Sequence, residues 1–134
     1  MAKKSALVFG IIFILVGLLG FIPGHGIVGE GATFETNGLH DIIHLIFGLI
    51  LLIVALKSPH ASASTVKWVG IIYIILAVIG FIQGDSILRI VPVNGADNWL
   101  HLVLGVILAA IGFAAKRDSS APIGSSSPTS TPQM

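Results

Sequence analysis

Two short stretches hold most of the chemistry this chain could do. "HDIIHLIFG" (40–48) and "DNWLHLVLG" (97–105) each place a histidine three residues after an acid or amide and four before a glycine. An imidazole can ligate a metal, carry a proton or be held by a hydrogen bond. In a helix, residues three or four apart share a face and side chains lean toward the N-terminus. His44 should therefore lean toward Asp41, and His101 toward Asn98, so that the carboxylate or amide orients the ring.

The leading reading is a structural polar cluster of Asp41, His44, Asn98 and His101 that fixes helix registry. Each imidazole would bond a facing carbonyl, an Asn or Asp partner, or water. Asp41 and Asn98 would act as N-caps, each accepting from its histidine's backbone N–H. No cofactor is then expected. Two alternatives use the rings as ligands. His44 and His101 could hold a haem from facing helices. His40, Asp41, His44, Asp97 and His101 could supply a divalent metal site at one mouth of the bundle.

The elements that position these residues are four apolar runs: Ala6 to Ile22, Ile42 to Leu56, Trp68 to Ile82 and Trp99 to Ala115. None contains Pro, Asp, Glu, Lys or Arg. The chain has 134 residues, 54% hydrophobic and 10% charged, against about 25% charged in a soluble domain. A soluble bundle would show polar residues at every third or fourth position. Each run is near the short limit for crossing a ~30 Å hydrocarbon core. Four membrane-spanning helices are expected, over about 6–22, 40–57, 66–82 and 98–115, within a domain covering 1–118. The chain ends in "DSSAPIGSSSPTSTPQM" (118–134), of which 119–134 reads as a disordered cytoplasmic tail.

Charge sets the expected orientation. Lys3, Lys4, Lys57, Lys67, Lys116 and Arg117 fall on one side of four spans, and only Arg89 on the other. That six-to-one bias puts both termini in the cytoplasm. Net charge is +1, so nothing argues for nucleic acid. The chain has no cysteine, which removes thiolate sites and iron–sulfur clusters. Enzyme chemistry is not expected, for the runs hold no Ser or Cys nucleophile and no embedded acid–base pair. A transporter or channel ranks low too: no run contains an acid, Ser or Thr, or is broken by Pro.

The chain also resembles itself. "GIIFILVGLLGFIPG" (10–24) matches "GIIYIILAVIGFIQG" (70–84) at eight of fifteen positions. "NGLHDIIHLIFGLIL" (37–51) matches "NGADNWLHLVLGVIL" (94–108) at seven of fifteen. The first run is thus the counterpart of the third, which argues against a cleaved secretory signal. Two parallel copies of one helical hairpin are expected, about a pseudo-twofold axis along the membrane normal. His44 and His101 become equivalent and equally deep. Asn37–Gly38 and Asn94–Gly95 read as turns before the helices. Small residues seven apart, Gly10 and Gly17, Gly48 and Ala55, Gly70 and Ala77, Gly105 and Gly112, mark the faces where helices should pack.

"GIIFILVGLLGFIPG", "HDIIHLIFG" and above all "DNWLHLVLGVILAAIGF" resemble the small bacterial four-helix membrane proteins of domain-of-unknown-function family 4383. The resemblance covers roughly 6–115. It implies a bacterial integral membrane protein and supplies no activity. The reading is therefore an all-α membrane four-helix bundle in the cytoplasmic membrane, a structural or accessory component in contact with lipid. A homodimer or a larger membrane complex would suit such a protein.

Overall fold

The computed structural model describes residues 1–120. Four long helices carry the chain: α1 (Ala2–Gly20), α2 (Gly38–Lys57), α3 (Ser62–Gln83) and α4 (Gly95–Ser120). Over Ala2–Gly20, Gly38–Lys57, Pro59–Gln83 and Gly95–Ala115 they are long and apolar enough to cross a membrane. The physical reason lies in the backbone. In hydrocarbon every N–H and C=O must be satisfied within the segment, and the Pro-free runs allow unbroken helices.

The boundaries differ from expectation at the ends. α1 starts at Ala2 and stops at Gly20, while α3 starts at Ser62. A single 3-10 turn, Pro59–Ala61, leads into α3, and the small polar residues after it are tolerated in a first helical turn. α4 runs past 118 to Ser120. From residue 121 onward, the stretch expected to be disordered lies outside the described residues.

Large aliphatic side chains point outward. Ile11, Leu15, Ile46, Leu49, Ile75, Val103 and Val106 are all about half exposed or more. The buried faces hold small residues and a few large ones: Phe13, Leu51, Val66, Tyr73 and Leu108 form the core with Ala6, Ala55 and Val69. This is the reverse of a soluble bundle and fits a lipid-facing surface.

The closest packing joins α1 to α2 and α3 to α4. All eight small residues of the seven-residue pairs are buried. A Cβ placed on Gly48 would lie 2.8 Å from Gly10 O and 2.8 Å from Ile14 N. On Gly105 it would lie 2.8 Å from Gly70 O and 2.8 Å from Ile74 N. These neighbours are backbone atoms and cannot swing aside.

Two long loops close one end of the bundle, called here the loop end. The all-α expectation lacked their strands. β1 (Val28–Gly29) pairs in parallel with β2 (Phe34–Glu35), and β3 (Ser86–Ile87) pairs antiparallel with β4 (Val91–Pro92), Ile87 opposite Val91. Gly84, at φ 93°, lets the chain leave α3 for this hairpin. The tip places Leu88 and Arg89 at φ 53° and 60°, the left-handed region usually given to Asn or Gly. The hairpin is hard to read in the sequence because its turn lacks those residues.

Gly105→Ala tests the packing. Ala is the better helix former by about 1 kcal/mol, yet the substitution should destabilise by about 1–3 kcal/mol, the range for overpacking. At Gly95, also in α4, an added Cβ meets nothing, and Gly95→Ala should be neutral or stabilising. Unfolding in detergent would compare them; equal behaviour would remove the close contact.

Candidate metal centre

The site begins with two asparagines. Asn37 Oδ1 accepts from His40 N at 2.9 Å, and Asn94 Oδ1 accepts from Asp97 N at 3.0 Å. These are the N-caps of α2 and α4. Asp41 and Asn98, expected as caps, are not. The reason is register: the helices start three to four residues earlier, so Asp41 and Asn98 already lie inside them. Each cap also reaches the other hairpin. Asn37 Nδ2 donates to Ile90 O at 3.4 Å, and Asn94 Nδ2 to Thr33 O at 2.8 Å.

Asp41 and Asn98 do not orient the histidines either. Each is buried with its side chain against the glycine of a neighbouring helix, Asp41 on Gly20 and Asn98 on Gly80. Helix-to-helix contact takes both side chains sideways instead, into notches that a Cβ would fill.

The imidazoles of His40, His44 and His101 converge. One ring nitrogen from each lies within 4.8 Å of the others, and all three residues are buried. Ring centroids are 5.0 Å apart for His40–His44, 5.6 Å for His40–His101 and 5.9 Å for His44–His101. Neither nitrogen of His44 has a hydrogen-bond partner among the described residues, nor does Nδ1 of His101. His40 Nδ1 lies 3.0 Å from Pro92 O. A carbonyl only accepts, so Nδ1 carries the proton and Nε2 presents a lone pair. A backbone carbonyl holding the remote nitrogen of a histidine is the usual support behind a metal ligand.

The floor is aromatic. Tyr73 meets His101 edge-on at 5.1 Å, and Phe13 stacks on Tyr73 at 5.1 Å and 17°. Tyr73 did not stand out in the sequence, although it is the chain's single tyrosine. A signal existed: the shift of sixty pairs Phe13 with Tyr73, just as the shift of fifty-seven pairs His44 with His101.

Other residues fall outside the triad. Asp97 is buried, one turn before His101, with Oδ2 unpartnered among the described residues. His25 is tied to the last turn of α1, Nε2 donating to Leu19 O at 2.9 Å, and His60 is exposed at the opposite end. The cavity at the histidines is about 50 Å³, against roughly 300–1,000 Å³ for pockets that enclose larger ligands. His40 and Tyr73 occupy the space beside the rings, so the geometry lends the haem reading no support.

Three imidazoles suit a borderline divalent ion such as zinc, bound at about 2.0–2.1 Å from each nitrogen. The structural reading asks each ring to bond a carbonyl, an Asn or Asp, or water, and among the described residues His44 has no such protein partner. The residues present fit a metal.

A family model described as a domain of unknown function (DUF4383) matches residues 3–114. No curated protein and no solved structure matches the chain.

The caps carry a prediction. Asn94→Ala loses both the cap and the bond to Thr33 and should cost about 1–2 kcal/mol. Asn94→Asp keeps the acceptor and loses only the donor, so its cost should be smaller, about 0.5–1.5 kcal/mol. Chemical unfolding in detergent would rank them; Asp as damaging as Ala would show that the cap contributes little.

Proposed function

The chain belongs to the DUF4383 family, and for this member we propose a multi-pass membrane protein that holds a divalent transition-metal ion on His40, His44 and His101. One observation carries the reading. Three buried imidazoles from two helices bring their nitrogens within 4.8 Å of one another, and His44 finds no partner for either nitrogen among the described residues. The role is that of a non-enzymatic accessory component in a bacterial cytoplasmic membrane. Self-association, or attachment to a larger complex, belongs to the same proposal.

The proposal includes the architecture of two parallel hairpin copies with both termini in the cytoplasm. Equivalent glycines support the repeat: Gly10 meets Gly48 as Gly70 meets Gly105, and Gly20 meets Asp41 as Gly80 meets Asn98. Equivalent aromatics also meet, Phe13 on Tyr73 and His44 beside His101. The Lys/Arg bias supports the orientation, which turns the loop end outward. Glu30, Glu35 and Asp85 then face the exterior with one basic residue, Arg89. Such a field draws cations toward the mouth.

Metal binding is tested on full-length protein, stripped with chelator and titrated with Zn²⁺ by calorimetry. One ion per chain is expected. Losing a supporting outer partner costs about 10–100-fold in metal affinity, so losing a ligand should cost more. His40→Ala, His44→Ala and His101→Ala should each weaken binding beyond that range, with His25→Ala and His60→Ala unchanged. No uptake, or uptake indifferent to the triad, would reject the reading. The native chain has no cysteine, so orientation can be tested by single replacements. In intact cells Thr33→Cys should react with an impermeant thiol reagent and His60→Cys should stay silent; the opposite pattern would invert the topology.

A further inference from the structure

The triad supplies three ligands, and the space beside it is shaped. A cavity of about 50 Å³ is bounded by His40, His44, His101 and Tyr73 and roofed by Ile87 and Val91. Those last two are cross-strand partners in β3–β4, so the hairpin covers the cavity from the loop end. Each water takes about 30 Å³ in the liquid, so the cavity holds one or two groups of that size.

We infer that the ion on His40, His44 and His101 keeps one coordination position open to this cavity, and that a small, weakly hydrated monoanion binds there. The inference rests on the metal reading above. Structural zinc sites close with four protein ligands, whereas three leave a position for an exogenous one. Charge then selects the ligand. Three neutral imidazoles leave the double charge of the ion uncompensated in apolar surroundings, where an isolated charge is strongly disfavoured. Two buried carboxylates, Asp41 and Asp97, lie in the first turns of α2 and α4, but neither is among the converging ligand atoms. An anion on the ion supplies charge within the coordination shell itself.

The walls select further. Ile87 and Val91 are aliphatic and give no donor to replace a hydration shell. A large or strongly hydrated anion such as sulfate or phosphate is therefore excluded by size and by desolvation. A halide or a linear pseudohalide such as azide satisfies both limits.

The test uses the full chain in detergent, loaded with Co²⁺ and titrated with sodium azide while the visible d–d bands are followed. The bands should shift saturably, one azide per Co²⁺, and sulfate at equal ionic strength should leave them unchanged. Ile87→Phe narrows the cavity without touching a ligand. It should retain Co²⁺ stoichiometry and weaken azide binding at least tenfold. Co²⁺ uptake with bands indifferent to azide would overturn this inference and leave the metal reading standing. If Asp97→Asn then made such an indifferent site azide-sensitive, Asp97 itself would hold the fourth position. No Co²⁺ uptake would remove both proposals together.

Discussion

Close backbone contact at glycine is the constraint on which the rest of this structure depends. Between helices in lipid there is no hydrophobic effect to exploit, because acyl chains are as apolar as leucine. Dispersion must hold the helices together, and it falls off steeply with a gap of an ångström. At Gly10–Gly48 and Gly70–Gly105 a methyl group would already strike a carbonyl oxygen and an amide nitrogen. That proximity ties each helix to its sequence neighbour. It also fixes which faces remain, and those faces bring Phe13, Tyr73, His44 and His101 to the middle. At the loop end the same principle is used with polar side chains: Gly20 and Gly80 open notches that Asp41 and Asn98 fill. A glycine in a spanning helix here makes room for a neighbour's carboxamide or carboxylate as well as for its backbone.

The loop end answers a different demand. Helix starts expose N–H groups that lipid cannot satisfy, so they must be capped within the protein. Asn37 and Asn94 do this with their carbonyl oxygens and direct their amide hydrogens to the opposite hairpin, at Ile90 O and Thr33 O. A residue with only an acceptor could cap; an amide caps and ties. The two hairpins, which pack less closely along their length, are thus joined where the loops are. His40 adds a third tie by donating to Pro92 O. Since Pro92 belongs to β4, the orientation of the His40 ring depends on the β3–β4 hairpin being in place.

Much of this was legible in the sequence, and the residues show why. The absence of Pro and charge from four long runs declares four helices long and apolar enough to cross a membrane. The seven-residue spacing of Gly and Ala picks out buried positions, and all eight are buried. Aligning the chain with itself pairs His44 with His101, whose ring centroids lie 5.9 Å apart. What failed was local. Asp41 and Asn98 sit at a spacing that suits either a cap or an orienting partner, and periodicity along one helix says nothing about a glycine notch on the next. The helix starts were set by Asn37 and Asn94, whose cap geometry was masked by the following glycines, which also suit a plain turn. The β3–β4 hairpin turns on Leu88 and Arg89, residues that carry no turn signal.

The sharpest clue is where the self-similarity breaks. The shift of fifty-seven that pairs His44 with His101 also pairs Asn37 with Asn94 and Gly48 with Gly105, but it sets His40 against Asp97. Packing alone gives no reason for that change, since both positions are buried at the first turn of their helices. Ligand chemistry does give one. A third imidazole on one side completes a set of three nitrogens, and a carboxylate on the other offsets the charge such a set would gather. Two histidines on an axis would be an adequate polar cluster, and a repeat would produce it without further change. His40 is itself held by Pro92 O, whereas both nitrogens of His44 and Nδ1 of His101 find no partner among the described residues, although each neutral imidazole demands both a donor and an acceptor. An arrangement that is worse as a closed hydrogen-bond network and better as a ligand set favours the proposed ion site over a polar cluster.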